Sequence, residues 1–188
     1  MHRMENTSRR EMIGLTTAAI LAPLELFAQS SGKIPAEIEA KIPPVETIDT
    51  IVRDYVRDTK GNGVDTNALV MRILGEERLA GINAFEGPDG IVERMEQLRL
   101  LFAGDTSKMR TLENAWLNAV ATKKVAVDAN ETLLDMIAKY VLIIEGGADA
   151  SATMQNAQQV RTAALRIALA NDILIKMRAA LTRIRIER

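Results

Sequence analysis

An all-α fold is what this sequence predicts, and three observations predict it. First, Val160, Ala163, Ile167, Ala170, Leu174, Met177, Leu181 and Ile184 recur at alternating steps of three and four, the a/d seam of a coiled coil. Second, the stretch from Lys108 to Glu145 contains neither Gly nor Pro, and Met109, Leu112, Trp116, Ala119, Ala126, Leu133, Ile137, Tyr140 and Ile144 keep heptad spacing. Third, 47% of the 188 residues are hydrophobic but only 3% are aromatic. The apolar content is therefore Ala, Leu, Ile, Val and Met, which suits helix-on-helix packing rather than a β-sandwich or barrel. The expected architecture is an elongated antiparallel helical hairpin over residues 108–145 and 150–187, with short N-terminal helices forming the third side of a three-helix-like bundle.

Residues 1–30 read as an address. Ser8-Arg9-Arg10-Glu11-Met12-Ile13 resembles the twin-arginine export consensus, with Arg9 and Arg10 as its determinants. A mildly apolar run from Met12 to Ala22 follows, ended by Pro23 and Glu25, and Ala28-Gln29-Ser30 supplies small residues for cleavage after Ser30. The run is too short for a membrane span, which needs about 20 apolar residues. The membrane is therefore expected to be met only during export, and the mature chain to reside in the periplasm or at the cell surface of a bacterium. Cleavage removes His2, the sole histidine, and the sequence has no cysteine. A mature chain without His or Cys excludes a Ser-His-Asp triad, a Cys-His pair and the usual zinc, copper and haem ligands. No metal and no cofactor are expected.

Residues 31–44 read as a linker, punctuated by Gly32, Pro35, Pro43 and Pro44, with room for one helical turn over 36–41. A single helical domain is expected over 45–188. Its first helix, led by Pro44, carries Ile48, Ile51, Val52 and Tyr55 on one face and stops at Thr59-Lys60-Gly61-Asn62-Gly63. That stop fails as a calcium loop. Asp58, Asn62 and Gly63 fit positions one, five and six, but Lys60 stands at position three and Leu69 at position twelve, where oxygen ligands belong. Asp65 or Thr66 is the N-cap of a helix expected over Thr66–Ala80, and Gly81 and Glu86-Gly87-Pro88-Asp89-Gly90 break the chain again. A further short helix runs from Ile91 to Ala103, stopped by Gly104. Asp105, Thr106 and Ser107 offer cap oxygens to the first long helix. Lys123 and Asn130 fall on its seam, either as polar residues that fix register or as signs of a local break near Val127-Asp128. Gly146-Gly147 ends it, and Asp149 or Ser151 starts the second long helix, in which Leu165, Leu169 and Ile173 widen the apolar face.

The net charge is −1, but it is unevenly placed. Residues 161–188 hold seven basic against two acidic residues, a net of +5, whereas residues 31–160 hold 14 against 20, a net of −6. The cations complement the dipole of the final helix, or they form a charged end for an acidic partner or neighbouring subunit, with Arg178, Arg183 and Arg185 the candidate contact residues. Stacking aromatics are absent from this segment, so no nucleic-acid partner is expected.

No catalytic set stands out. Glu76-Glu77 lies at an expected helix end, Asp128 and Glu131 lie on an expected solvent face, and six aromatics in all are few for a groove built around paired catalytic carboxylates. Trp116, the only tryptophan, falls on the helix seam and is expected in the core.

The chain order from residue 105 to 185 carries a resemblance. A long helix ends in a Gly-containing turn, and Ala152-Thr153-Met154-Gln155-Asn156-Ala157-Gln158-Gln159 then leads into an Ala/Leu-rich helix containing Asn171. This resembles the C-terminal half of the TrbJ-type minor pilin (pilus-tip) family of conjugative type IV secretion systems. The resemblance implies a non-enzymatic component of a cell-surface conjugation apparatus, acting in pilus assembly or adhesion. Its partners would be proteins, through self-association or through secretion-machinery subunits. The alternative from a different class is a periplasmic small-ligand-binding helical protein or a carboxylate-only enzyme. A pocket with converging carboxylates would favour that alternative.

Overall fold

A computed structural model describes residues 34–59 and 63–184. Arg9, Arg10, the cleavage point after Ser30 and Arg185 lie outside the described residues. Those described are all-helical, with no strand among them, and several helices pack against the long C-terminal one. The order is α1 (Ala36–Glu39), α2 (Val45–Asp58), α3 (Thr66–Leu74), a 3-10 turn (Glu76–Leu79), α4 (Ala80–Glu86), α5 (Ile91–Leu101), α6 (Thr106–Glu145) and α7 (Ala150–Arg183).

The long helices form where the seam and the caps agree. Asp105 accepts the Lys108 N–H at 3.1 Å, so α6 begins two residues before the expected start. Its end is a Schellman motif. Gly147 takes φ +73°, its N–H reaches the Ile144 carbonyl at 3.0 Å, and the Ala148 N–H reaches Ile143 at 3.2 Å. Asp149 then caps α7 by accepting the Ala152 N–H at 2.8 Å. All eight expected seam residues of α7, from Val160 to Ile184, are buried. Helix α6 is unbroken through Val127 and Asp128. Helix α7 does not run to 187: its last helical residue is Arg183, and Ile184 is a bend.

The chain divides into two compact units, whose boundaries fall within α6, at Lys123/Lys124, and within α7, at Asn171/Asp172. One unit joins residues 34–80 to 124–171. Ile48, Val52 and Tyr55 of α2 and Leu69, Val70 and Ile73 of α3 pack there with Leu133, Ile137 and Tyr140 of α6 and Val160, Ala164 and Ile167 of α7. Part of the stretch read as a linker belongs to this core: Ile38 and Ile42 are buried, and Arg161 holds the segment by donating to the Pro43 carbonyl at 3.1 Å.

The other unit joins residues 81–123 to 172–184 among those described. Phe85, Ile91, Met95, Leu98 and Phe102 pack there on Leu112, Ala115 and Ala119 of α6 and on Leu174, Met177, Leu181 and Ile184 of α7.

Boundaries among the shorter helices differ from the expected ones as well. The helix expected over Thr66–Ala80 stops at Leu74, because Gly75 takes φ +68°; the 3-10 turn follows. Gly81 does not break the chain. It is buried inside α4.

Candidate functional site

Sequence reasoning proposed one set of contact residues, the basic end of α7. Arg178 is already committed: its Nε donates to the Asp89 carbonyl at 3.1 Å and its Nη2 to the Pro88 carbonyl at 2.8 Å. It thereby ties down the α4–α5 turn, whose Asp89 sits at φ +52°. Arg183 is exposed. The end of α7 is finished by a different residue, Arg94 of α5. Its Nη2 donates to the carbonyls of Leu181, Thr182 and Ile184 at 3.2, 3.3 and 3.0 Å. A guanidinium there satisfies orphan carbonyls and opposes the negative end of the helix dipole.

A polar cluster crosses the core of the 34–80/124–171 unit. Tyr140 of α6 is fully buried, and its hydroxyl donates to the Asp49 carboxylate. The other Asp49 oxygen accepts Arg53 Nε at 2.8 Å, and Arg53 Nη2 donates to Thr153 Oγ1 at 2.6 Å. Burial pushes the Tyr140 hydroxyl well above its ordinary range, and the Asp49 hydrogen bond pushes it the same way. The bond to Asp49 also raises Arg53. Every member is held by another, so the cluster binds helices α2, α6 and α7 together. In the same unit Asn171 Nδ2 donates to the carbonyls of Glu77 and Arg78, at 2.9 Å each, and fixes the 3-10 turn.

The carboxylates singled out from sequence stay apart from these sites. Asp128 and Glu131 are exposed, and Asp128 pairs with Lys124. Glu77 is exposed and reaches Lys41 at 3.9 Å. Leu69, at the twelfth position of the failed calcium loop, is fully buried. Asn130 is buried on the seam but donates within its own helix, to the Ala126 carbonyl at 3.4 Å. Lys123 leaves the seam to pair with Glu86 and lies over the Phe85 ring, 5.1 Å from its centre.

The arrangement with most to offer a partner is a groove between α5 and α6. It has a volume of about 400 Å³ and is lined by Val92, Met95, Glu96 and Arg99 of α5 and by Leu112, Glu113 and Trp116 of α6. Trp116 is only half-buried, a correction to its expected place in the core: its ring stacks on Phe85 at 5.6 Å between centres and also lines the groove. Leu100 and Leu117 stand beside the groove at 82% and 65% exposure. Sequence reasoning missed Glu96, Arg99 and Glu113. The available signal was Leu100 and Leu117, apolar residues placed one turn along from Glu96 and Glu113 on faces otherwise polar.

A second groove lies between α6 and α7 in the other unit. Ala129, Met136 and Ala163 line it together with Asp128, Thr132, Gln158, Gln159 and Arg166.

Among the described residues no group of His, Cys, Asp and Glu could hold a metal ion, and no helix is long and apolar enough to cross a membrane. No family model, curated protein or solved structure matches the chain.

Proposed function

We propose that this chain is an exported, non-enzymatic helical protein that works through contacts with other proteins. The finer form of the reading is a pilus-associated component of a conjugative type IV secretion apparatus, positioned in the periplasm or at the cell surface. The observation that carries the general form is the exposure of Leu100 and Leu117 beside the α5–α6 groove, on helices whose inner faces are already filled by Leu98, Leu112 and Ala119. Large apolar side chains grouped at the rim of a groove mark contact surfaces, whereas scattered ones do not. The finer form rests on the resemblance over residues 105–185.

The test is genetic and chemical together. Removing the chain from a conjugating host lowers DNA transfer, an intact copy restores it, and a photo-cross-linking residue at Leu117 traps a neighbouring protein. Unchanged transfer together with no cross-linked product overturns the reading.

A second reading has its own observation. Glu96 and Glu113 stand on opposite walls of the groove, over a floor containing Met95, Leu112 and Trp116. Its volume lies within the range of small-molecule sites. A small amphiphile with a cationic group would satisfy both walls, and titration of such cations against Trp116 fluorescence decides it.

A further inference from the structure

We infer that residues 34–43 are an exchangeable strap, and that the cleft they fill is a docking site for the same strap of a second copy of this chain. The inference goes beyond the reading above and needs neither export nor conjugation. Strap and cleft lie within one unit, the one formed by residues 34–80 and 124–171.

The strap keeps its shape only while seated. Ile34, Ile38 and Ile42 recur every fourth residue. Ile38 is fully buried, Ile42 belongs to the core of the unit, and Ile34 packs partly against that core. Between them α1 is a single turn with no side-chain cap at its start. A helix of that length is not stable alone in water, so the strap is ordered by what it sits on. Arg161 of α7 grips it twice: Nε donates to the Pro43 carbonyl at 3.1 Å, and Nη2 meets Glu39 Oε1 at 3.4 Å. At the outer edge Lys41 reaches Glu77 at 3.9 Å.

The rest of the unit is tied independently. The bonds from Tyr140 to Asp49, from Asp49 to Arg53 and from Arg53 to Thr153 join α2, α6 and α7 and include no strap residue. The link from strap to α2 is Pro43-Pro44, a pair with no backbone N–H to bond. Helix α2 starts afresh beyond it, with the Ile48 N–H on the Pro44 carbonyl at 3.1 Å. The strap can therefore swing out about Pro43 while α2 keeps its first turn.

Opening bares the isoleucine row and uncovers the cleft at the same moment. What refills the cleft is fixed by matching, charge for charge: Glu39 answers Arg161, Lys41 answers Glu77, and the isoleucines answer the core. The strap of a second copy brings that set complete. Within one chain the short link favours reclosure, and between two chains a reciprocal exchange closes a symmetric pair with every contact kept.

The experiment uses two full-chain variants. Glu39→Arg and Arg161→Glu each set like charges against one another within a single chain. When the two chains are mixed, each strap meets its opposite charge in the other chain's cleft. Both are passed briefly through mild urea at high protein concentration and read by light scattering. The expected result is a one-to-one pair with twice the mass of either variant alone. Glu39→Arg combined with Arg161→Glu in one chain restores the behaviour of the parent. Arg166→Glu, at an exposed arginine of the same helix, does not pair with Glu39→Arg. A labelled peptide of residues 34–44 binds the parent chain under the same conditions, and its Ile38→Asp form does not.

A mixture that stays as single chains, while the circular dichroism of both variants matches the parent, overturns the inference. So does pairing that either variant shows equally well alone. If a variant does not fold, the peptide decides: a parent chain that binds neither form, or both alike, overturns it.

Discussion

The Tyr140 hydroxyl donates to the Asp49 carboxylate across 91 positions of chain. It joins α2 to α6, which also contribute the fully buried Ile48 and Ile137 to the same core. Tyr140→Phe leaves that oxygen of Asp49 without its donor and is expected to lower stability by about 1–2 kcal/mol. Its pH signature separates it from simple loss of packing. The Tyr140 pKa is raised on folding, so its contribution is full below the unfolded value of about 10 and is lost as pH rises past it. Urea unfolding at increasing alkaline pH should show the parent losing stability faster than Tyr140→Phe.

Asp105 gives the opposite sign. The Lys108 N–H, and then the Lys108 side chain, hold its carboxyl below the usual carboxylate range. A lowered carboxylate stabilises the fold above its unfolded pKa, and that stabilisation disappears as pH falls through the folded one. Asp105→Asn keeps a capping oxygen but does not titrate. The stability difference between Asp105→Asn and the parent should therefore shrink on acidification below about pH 4, as thermal melts can measure.

Two glycines predict loss by different routes. Gly147 sits at φ +73° with open space where a Cβ would go, so Gly147→Ala costs backbone strain alone, about 1 kcal/mol. Gly90 has an ordinary negative φ, but a Cβ there would lie 2.5 Å from the Gly87 carbonyl oxygen and 2.8 Å from that of Phe85. Gly90→Ala therefore displaces the turn that Arg178 holds. Hydrogen exchange should show faster opening at 87–91 in Gly90→Ala and unchanged rates there in Gly147→Ala.

Arg94→Met keeps the apolar stem and removes the donors to Leu181, Thr182 and Ile184. The expected loss is about 1.5–3 kcal/mol, the usual range for hydrogen bonds to a charged group. Amide exchange in the last turn of α7 should accelerate, with little change around Val160. Equal acceleration along the whole helix would contradict a local capping role.

The helices were largely legible in the sequence, and the cross-chain ties were not. The α7 seam, the Asp65 and Asp149 caps and the Gly146-Gly147 stop all obey local rules, because cap geometry and heptad spacing act within a few residues. Gly81 misled because a glycine inside a helix can mean either a break or close packing, and only the neighbours decide. The turn at 36–41 was legible, but between prolines nothing local showed that its Ile38 is buried rather than part of a linker. Arg94 and Arg178 find their acceptors 87 to 90 positions away, a separation that no periodicity encodes. Of the groove, sequence reasoning found Trp116 and Leu112 through the seam. It missed the charged walls, because Glu96, Arg99 and Glu113 look like any solvated face until α5 folds back beside α6.

The allocation of core residues along the chain sets an order of completion during synthesis. The core built around Tyr140 has its last fully buried contributor at Ile167. The core around Leu98 and Leu112 still needs Leu174, Met177, Leu181 and Ile184. A nascent chain growing from its N-terminus thus holds every residue of the first core while the second lacks one wall. Until α7 is made, the inner faces of α5 and the first part of α6 are open to water, and these are the segments most in need of chaperone protection.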